Sequence, residues 1–251
     1  MRRLPVAAAA VAVALIAAAC GEVRSPSAPA VPPLLQGGSA TQVAGSATRA
    51  RIVIVTHGQA SDPFWAVVRR GIDDAARQFD VSVTYEAPDI YDIGRMSQMI
   101  DTAVATHPAG LVVSLPDPQR LEAAIRKAIR EGIPVISINS GSDSFRSLGI
   151  LLHIGQPEYA AGLGAGKRMA AEGVRHPLCV IQEAGNVGLQ ERYRGFAHAI
   201  ATAGGRSRVL IVNLQDQAGA ERAIAAALRT TRIDGLLTMG AEIATPALEA
   251  L

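Results

Sequence analysis

The chain has 251 residues, of which 49% are hydrophobic and 18% are charged, so it is long and apolar enough to bury a large core. This composition excludes a disordered or fibrous protein. The formal net charge of +2 is small and the basic residues are scattered, so we expect no nucleic-acid partner.

The N-terminus has the pattern of an export signal. Arg2 and Arg3 precede an apolar stretch, 6–19, that is too short to span a membrane comfortably. Three alanines directly before Cys20 resemble the lipobox of bacterial lipoproteins. We therefore predict a lipoprotein signal peptide over 1–20, with a lipid on Cys20. The alternative is a plain secreted protein in which this cysteine is incidental.

Residues 21–50 are rich in Pro, Ser, Gly and Ala and have no apolar period, so we predict a flexible tether. After a lipidated cysteine, such a segment would hold a folded body clear of the membrane surface. The other cysteine, Cys179, lies in an apolar run and is predicted to be an inert core residue. An acylated Cys20 leaves it no partner for an internal disulfide.

The body, 51–251, alternates β-branched runs with longer amphipathic ones. This alternation predicts an α/β fold with right-handed crossovers and buried parallel sheets. The first series has predicted strands at 51–56, 81–86, 109–115 and 134–139, and helices near 63–79, 92–106 and 118–131. The second has predicted strands at 151–155, 178–182, 208–214 and 234–239, and helices near 157–172, 188–203, 217–230 and 242–251.

Two such series predict two lobes of similar construction, separated by a Gly/Ser-rich break at 139–149. We place the N-terminal lobe at about 51–140, the hinge region at about 140–154 and the C-terminal lobe at about 155–251. Loops at the carboxyl ends of both sheets would face the crevice between the lobes, which makes that crevice the expected ligand site.

The run GLGAGK, residues 162–167, resembles a phosphate-binding loop in composition but not in spacing. Its glycines follow GxGxG, which fits neither the dinucleotide fingerprint nor the P-loop. Pro157 is predicted to be the first helical residue, so the glycines fall inside a helix. Gly162 and Gly166 then share one face, where we expect close packing against the sheet or the hinge.

Four segments in order carry a family resemblance: SDPFWAVVRRGIDDAA, GIPVISINS, LHIGQPEYAAGLGAGKRMA and QERYRGFAHAI. Together they resemble the periplasmic sugar-binding proteins of ABC importers, of the ribose- and galactose-binding type, which share their fold with the ligand domains of lac-repressor-type regulators. The resemblance implies a two-lobed type I periplasmic binding protein. Relatives continue for roughly two more strands and helices, so we expect an incomplete C-terminal lobe.

The resemblance also implies ligand contacts in the first lobe. Asp62, Phe64 and Trp65 match a polar contact and two stacking aromatics, a combination that suits the hydroxyls and the apolar faces of a sugar. The alternative is that both aromatic residues form the first apolar turn of a core-facing helix. Asn139 and Ser140 stand where ribose binders carry an acidic residue and an arginine, and Asn can both donate and accept hydrogen bonds.

In the second lobe, Arg192 matches the arginine that the family presents to ligand hydroxyls. The alternative is a surface ion pair with Glu191 or Glu221. Asn186, in the preceding loop, is a further candidate. The loop after the eighth strand has Gly and Ala at 240 and 241, so we expect recognition to be thinner on that side.

The resulting prediction is a binding protein and not an enzyme. The five histidines show no paired ligand spacing, and neither a metal site nor a cofactor is predicted. The expected partners are a sugar or polyol, the membrane permease of an ABC importer and, through the lipid, a membrane surface; we expect a monomer. The expected location is the periplasm or the outer face of the cytoplasmic membrane. The alternatives are a ligand-sensing subunit of a membrane receptor and a nucleotide-dependent α/β enzyme.

Overall fold

Strands and helices alternate along the chain, as the apolar runs predict. The computed structural model describes residues 49–58, 62–230 and 232–251. The predicted signal peptide, the lipidation site Cys20 and all but the last two residues of the predicted tether lie outside the described residues.

Among the described residues, the first half of the chain contains five strands and three helices. They are β1 (Arg51–Val55), α1 (Pro63–Gln78), β2 (Ser82–Glu86), α2 (Ile93–Ala105), β3 (Gly110–Ser114), α3 (Pro118–Arg130), β4 (Val135–Ile138) and β5 (Leu152–Ile154). Aspartates cap the three helices, because the side chains of Asp62, Asp92 and Asp117 each accept a hydrogen bond from a backbone N–H of the first turn.

The described part of the second half contains three strands and four helices. They are α4 (Glu158–Ala171), β6 (Pro177–Ile181), α5 (Val187–Thr202), β7 (Arg208–Ile211), α6 (Gln217–Thr230), β8 (Gly235–Thr238) and α7 (Ala244–Glu249), with a short 3₁₀ turn at Ala241–Ile243. No helix among the described residues is both long and apolar enough to cross a membrane.

The strands form two parallel sheets, with order β2-β1-β3-β4-β5 in the first lobe and β7-β6-β8 in the second. The predicted α/β class, with parallel sheets flanked by helices, is confirmed. The first sheet has its own buried core, in which Met96, Ile100 and Leu121 are among the largest side chains. Residues of β6 contribute to two smaller clusters, one towards α6 and one towards α5.

The prediction that the strand at 151–155 opens the second lobe is wrong. β5 pairs in parallel with β4, with Ser137 opposite His153, and is the edge strand of the first sheet. Leu148 and Ile150 are buried in the core of the first lobe, so the segment that connects β4 to β5 also belongs to that lobe. The backbone N–H of Leu151 donates to the carbonyl of Val135, which starts the pairing.

The glycine run 162–167 is helical, as predicted, but Pro157 caps α4 and is not its first helical residue. Gly162 and Gly166 pack against α5 and not against the sheet. A Cβ on Gly162 would overlap the carbonyl oxygen of Arg192, and a Cβ on Gly195 would overlap that of Tyr159. Glycine therefore lets the two helix backbones touch, and this contact fixes the position of Arg192.

Cys179 is fully buried in β6, in agreement with its predicted core position. Burial raises the pKa of its thiol to about 12, so the thiol stays protonated and unreactive at neutral pH.

Candidate functional site

A cleft of about 270 Å³ lies where the carboxyl ends of β1, β4, β6 and β8 meet. This volume is slightly below the range of roughly 300–1,000 Å³ that is usual for drug-sized ligands, so the cleft suits a small molecule. All the residues predicted as ligand contacts line it: Asp62, Phe64, Trp65, Asn139, Ser140, Asn186 and Arg192.

Two aromatic rings form one wall of the cleft. Trp65 is only 3% exposed and meets the imidazole of His57 edge-on, with 5.1 Å between ring centroids. Phe64 is 50% exposed and meets the Trp65 ring edge-on at the same distance. Gly58 leaves room for the indole, because a Cβ there would overlap it. The core-facing alternative fails for Phe64 and holds only in part for Trp65, which is buried and still lines the cleft.

Asp62 combines a structural contact with a place on the cleft wall. Its Oδ1 accepts a hydrogen bond of 2.8 Å from the backbone N–H of Phe64, which caps α1. Burial raises the pKa of Asp62, and the nearby carboxylate of Glu183 raises it further. The ionised form is thus less favoured here than in water.

A polar group bridges the two lobes at the base of the cleft. The Ser140 hydroxyl lies 2.8 Å from Asn139 Oδ1 and 3.1 Å from Asn186 Oδ1, so its single proton is donated to one or the other. Asn139 adopts a left-handed backbone conformation with φ of 66°, which turns the chain directly after β4. Asn186 is also the N-cap of α5, because its Oδ1 accepts from the N–H of Gly188.

Arg192 forms an ion pair inside the cleft. Its Nε lies 2.6 Å from Glu158 Oε2, and its Nη1 donates to the carbonyl of Met239 at 2.8 Å. The Glu158 side chain is only 5% exposed. The alternative of a surface pair with Glu191 or Glu221 is wrong, since Glu191 pairs with Arg194 instead.

His57 lines the cleft, although no ligand contact was predicted for it. The backbone N–H of His57 donates to Ser114 Oγ at 2.9 Å, while Nδ1 of the ring lies 2.8 Å from the same oxygen. The hydroxyl can donate its proton to Nδ1, which leaves Nε2–H directed at Glu183 Oε2, 3.5 Å away. Ser114 thereby sets the ring orientation.

Glu183 is a largely buried carboxylate whose ionised form the site favours. Burial alone would raise its pKa, but the electrostatic influence and hydrogen bond of His57, the amide of Asn186 and the charge of Arg192 outweigh this and hold the pKa below its usual value. Asn186 Nδ2 donates to Glu183 Oε2 at 2.6 Å. The sequence position of Glu183 could have identified it as a site residue, because it comes two residues after the end of β6, where ligand sites of parallel sheets lie.

The side of the cleft next to Gly240 and Ala241 is not empty of polar groups, contrary to expectation. Glu242 lines it and accepts a hydrogen bond of 2.5 Å from Gln182 Nε2. Burial raises the pKa of Glu242, and the carboxylates of Asp62 and Glu183 add to the shift. The loop after the eighth strand was predicted at the correct position, but its polar side chain belongs to Glu242, one residue after Ala241.

Within the described ranges, no group of three or more His, Cys, Asp or Glu residues is arranged to hold a metal ion. The cleft instead combines aromatic faces with charged and amide side chains. This arrangement can hold a small molecule that has apolar faces and a polar edge.

Comparison with known proteins places the chain in a family. Residues 52–251 match the family model described as the periplasmic binding protein domain. A search of curated proteins gave no match.

Solved structures agree with that family. A carbohydrate transporter from Acidothermus cellulolyticus 11B, in complex with myo-inositol, is 37% identical, with a TM-score of 0.76 over 80% of this chain and 69% of that one. An arabinose-binding protein from Geobacillus stearothermophilus is 26% identical, with a TM-score of 0.62 over 80% and 70%. A periplasmic sugar-binding protein from Legionella pneumophila is 21% identical, with a TM-score of 0.74 over 79% and 73%.

The family model covers nearly all of the described residues, and the two parallel-sheet lobes with a cleft between them agree with it. The chain belongs to the periplasmic binding protein family and is thus a binding protein, not an enzyme.

Proposed function

We propose that the protein is an extracytoplasmic solute-binding lipoprotein that captures a sugar or polyol between its lobes and delivers it to an ABC importer. The observation that carries the proposal is that one small cleft brings together an aromatic wall from the first lobe and a charged wall from the second. The relative with 37% identity was solved with myo-inositol, a cyclic polyol.

The chemistry of the cleft supports such a ligand. A sugar or cyclitol presents C–H groups on its faces and hydroxyls around its edge. Phe64 and Trp65 offer apolar surface for a face, and Asp62, Asn139 and Arg192 offer acceptors and donors for the edge. We propose these residues, together with Ser140 and Asn186, as the ligand site.

Hinge closure is the mechanism that this geometry supports. Ligand contacts from both lobes favour the closed arrangement. A permease that recognises only the closed arrangement therefore binds only protein that carries ligand. Links between the lobes already exist at the base of the cleft, where the backbone N–H of Val187 donates to the carbonyl of Pro116 at 2.9 Å.

The test is a thermal-shift screen of the purified body, 51–251, against pentoses, hexoses, inositols and nucleotides, followed by isothermal titration calorimetry of each hit. We expect a cyclic polyol or a sugar to raise Tm, since a ligand that binds only the folded state stabilises it. Stabilisation by nucleotides and by no carbohydrate would overturn the proposal.

The lipid anchor is proposed from the sequence around Cys20. Expression of the full chain in a bacterial host, with separation of membrane and soluble fractions, tests it. Cys20→Ala should move the protein out of the membrane fraction, because acyl chains are the proposed anchor. Cys179→Ala is the control and should leave the partitioning unchanged; the same membrane fraction for Cys20→Ala would contradict the anchor.

A further inference from the structure

The cleft is strongly acidic for a site of its size. Among the described residues, one guanidinium lines it, and its charge is already engaged, because Arg192 Nε lies 2.6 Å from Glu158 Oε2. The imidazole of His57 faces Glu183, with 3.5 Å between Nε2 and Oε2. The carboxylates that line the cleft are those of Asp62, Glu158, Glu183 and Glu242.

Two of these carboxylates have no cationic partner. Within the described residues, no Lys, Arg or His side chain forms an ion pair with Asp62 or Glu242. Burial raises the pKa of Glu242, and the carboxylates of Asp62 and Glu183 raise it further. The negative charge on this side of the cleft is therefore poorly compensated by the protein itself.

A buried amide next to Glu242 also lacks a partner. Gln182 is only 8% exposed and lines the cleft. Its Nε2 donates to Glu242 Oε1, and its Oε1 is buried with no hydrogen-bond partner in the described part of the chain. A buried acceptor without a donor is unfavourable. The Oε1 of Gln182 is thus a free acceptor, and a donor on a ligand would satisfy it.

We propose, on the basis of the function proposed above, that the cleft selects its ligand by charge. It binds polyols that are uncharged or carry an ammonium group, and it rejects those that carry a carboxylate or a phosphate. Hydroxyl and ammonium groups can donate to Gln182 and to Glu242. A carboxylate offers acceptors alone and would bring a further negative charge into a partly buried site, where repulsion is weakly screened.

Glu242 is the specificity-determining residue in this proposal. It stands on the side of the cleft where the two preceding residues, Gly240 and Ala241, have no polar side chain. Its replacement by Gln removes the charge and keeps an acceptor for Gln182 Nε2. Glu249 lies on the same lobe, is exposed and does not line the cleft, so Glu249→Gln is a control with the same change in charge.

The experiment is calorimetric titration of the purified full-length protein at pH 7 with matched ligand sets. The sets are D-glucose with D-glucosamine and D-glucuronate, D-galactose with D-galactosamine and D-galacturonate, and myo-inositol with myo-inositol 1-phosphate. Within any set that binds, we expect the anionic member to bind at least about tenfold more weakly than its neutral parent. The amine should bind as tightly as the parent or more tightly.

Glu242→Gln should reduce the neutral-to-anionic affinity ratio several-fold, and Glu249→Gln should leave it unchanged. Asp62→Asn is a second variant that retains the capping acceptor of α1, and it should act in the same direction. Thermal melts show whether each variant is folded.

Three outcomes would overturn the inference. They are an anion that binds as tightly as its parent, an amine that binds as weakly as the anion, and a ratio that neither Glu242→Gln nor Asp62→Asn changes. If no ligand in the sets bound, both the proposed function and this inference would be overturned. If the neutral ligands bound and charge made no difference, only this inference would be overturned.

Discussion

The imidazole of His57 and the carboxylate of Glu183 face each other across the two lobes, with 3.5 Å between Nε2 and Oε2. His57 follows β1 in the first lobe, and Glu183 follows β6 in the second. Both side chains are largely buried, and Ser114 and Asn186 hold them in place. The pair connects the lobes at the base of the cleft, so it contributes to holding them together.

Glu183→Gln should lower stability in a pH-dependent way. Burial alone would raise the pKa of Glu183, but His57, Asn186 and Arg192 hold it below the ordinary value of 4.5. Because the pKa is lower in the folded state than in the unfolded state, the ionised carboxylate stabilises the fold fully above the ordinary pKa. This contribution is lost as the pH falls through the folded pKa. We expect a loss of about 1–2 kcal/mol at pH 7, or several degrees in Tm.

Thermal melts from pH 7 down to pH 3 measure this effect. The difference between the wild type and Glu183→Gln should shrink as the pH falls below 4.5, the ordinary pKa of the carboxyl. Glu172→Gln removes a carboxylate from an exposed pair with Arg168 and should change Tm little at any pH. A constant difference for Glu183→Gln at all pH values would show that its charge is not what stabilises the fold.

Replacement of Trp65 by Ala should weaken ligand binding by an order of magnitude or more. The variant loses the buried face of the aromatic wall and its edge-on contact with His57. Because Trp65 is also a core residue, Phe64→Ala is a milder test that removes a half-exposed ring. Titration with the hit from the carbohydrate screen measures both.

Phe79→Ala is the matched control for the aromatic wall, since this ring is exposed at the far end of α1 and does not line the cleft. Its affinity should equal that of the wild type. Unaltered binding in both Trp65→Ala and Phe64→Ala would show that the ligand does not use this wall.

Arg192→Ala should reduce both affinity and stability. The variant leaves Glu158 buried without its cation, a change that typically costs about 3–5 kcal/mol. Adding Glu158→Gln removes the buried charge, so the double variant should recover much of the stability but not the affinity. Melts and titrations of both variants separate these effects.

Arg194→Ala is the control for Arg192, because Arg194 is exposed and its pair with Glu191 lies on the surface. Full affinity is expected for this variant. If the Arg192/Glu158 double variant bound ligand as tightly as the wild type, Arg192 would be a structural residue only.

Two alanine substitutions within the glycine run should have opposite effects. A Cβ on Gly162 would overlap the carbonyl oxygen of Arg192, so Gly162→Ala should separate α4 from α5 and lower Tm. Gly164 is exposed on the same helix, and no described atom lies within 4 Å of the position of its Cβ. Gly164→Ala should raise stability by roughly 0.5–1 kcal/mol, because Ala favours the helix.

Melting curves of the two single variants provide the comparison. A similar small gain for both would mean that the two helix backbones do not touch at Gly162. A loss of ligand affinity in Gly162→Ala would further support the conclusion that this contact positions Arg192.

The candidate site was largely predictable because it depends on position along the chain. In a parallel sheet the carboxyl ends of the strands share one edge, so the residues that follow strands converge there whatever their separation in sequence. Trp65 and Asn139 were placed by this rule and by the family resemblance, and Arg192, which lies inside α5, by the resemblance alone. Glu183 and Glu242 follow β6 and β8 in the same way, and the rule would have found them had it been applied to every strand.

The sequence by itself determined the α/β alternation, the positions of the helices and strands, and the helical state of the glycine run, because these depend on local periodicity and capping. Tertiary structure alone decided which partners met. It assigned β5 to the first sheet, packed Gly162 against α5, and paired Arg192 with Glu158 and His57 with Glu183. Such contacts join residues far apart in sequence, and their geometry is set by the packing of whole elements, which no local pattern encodes.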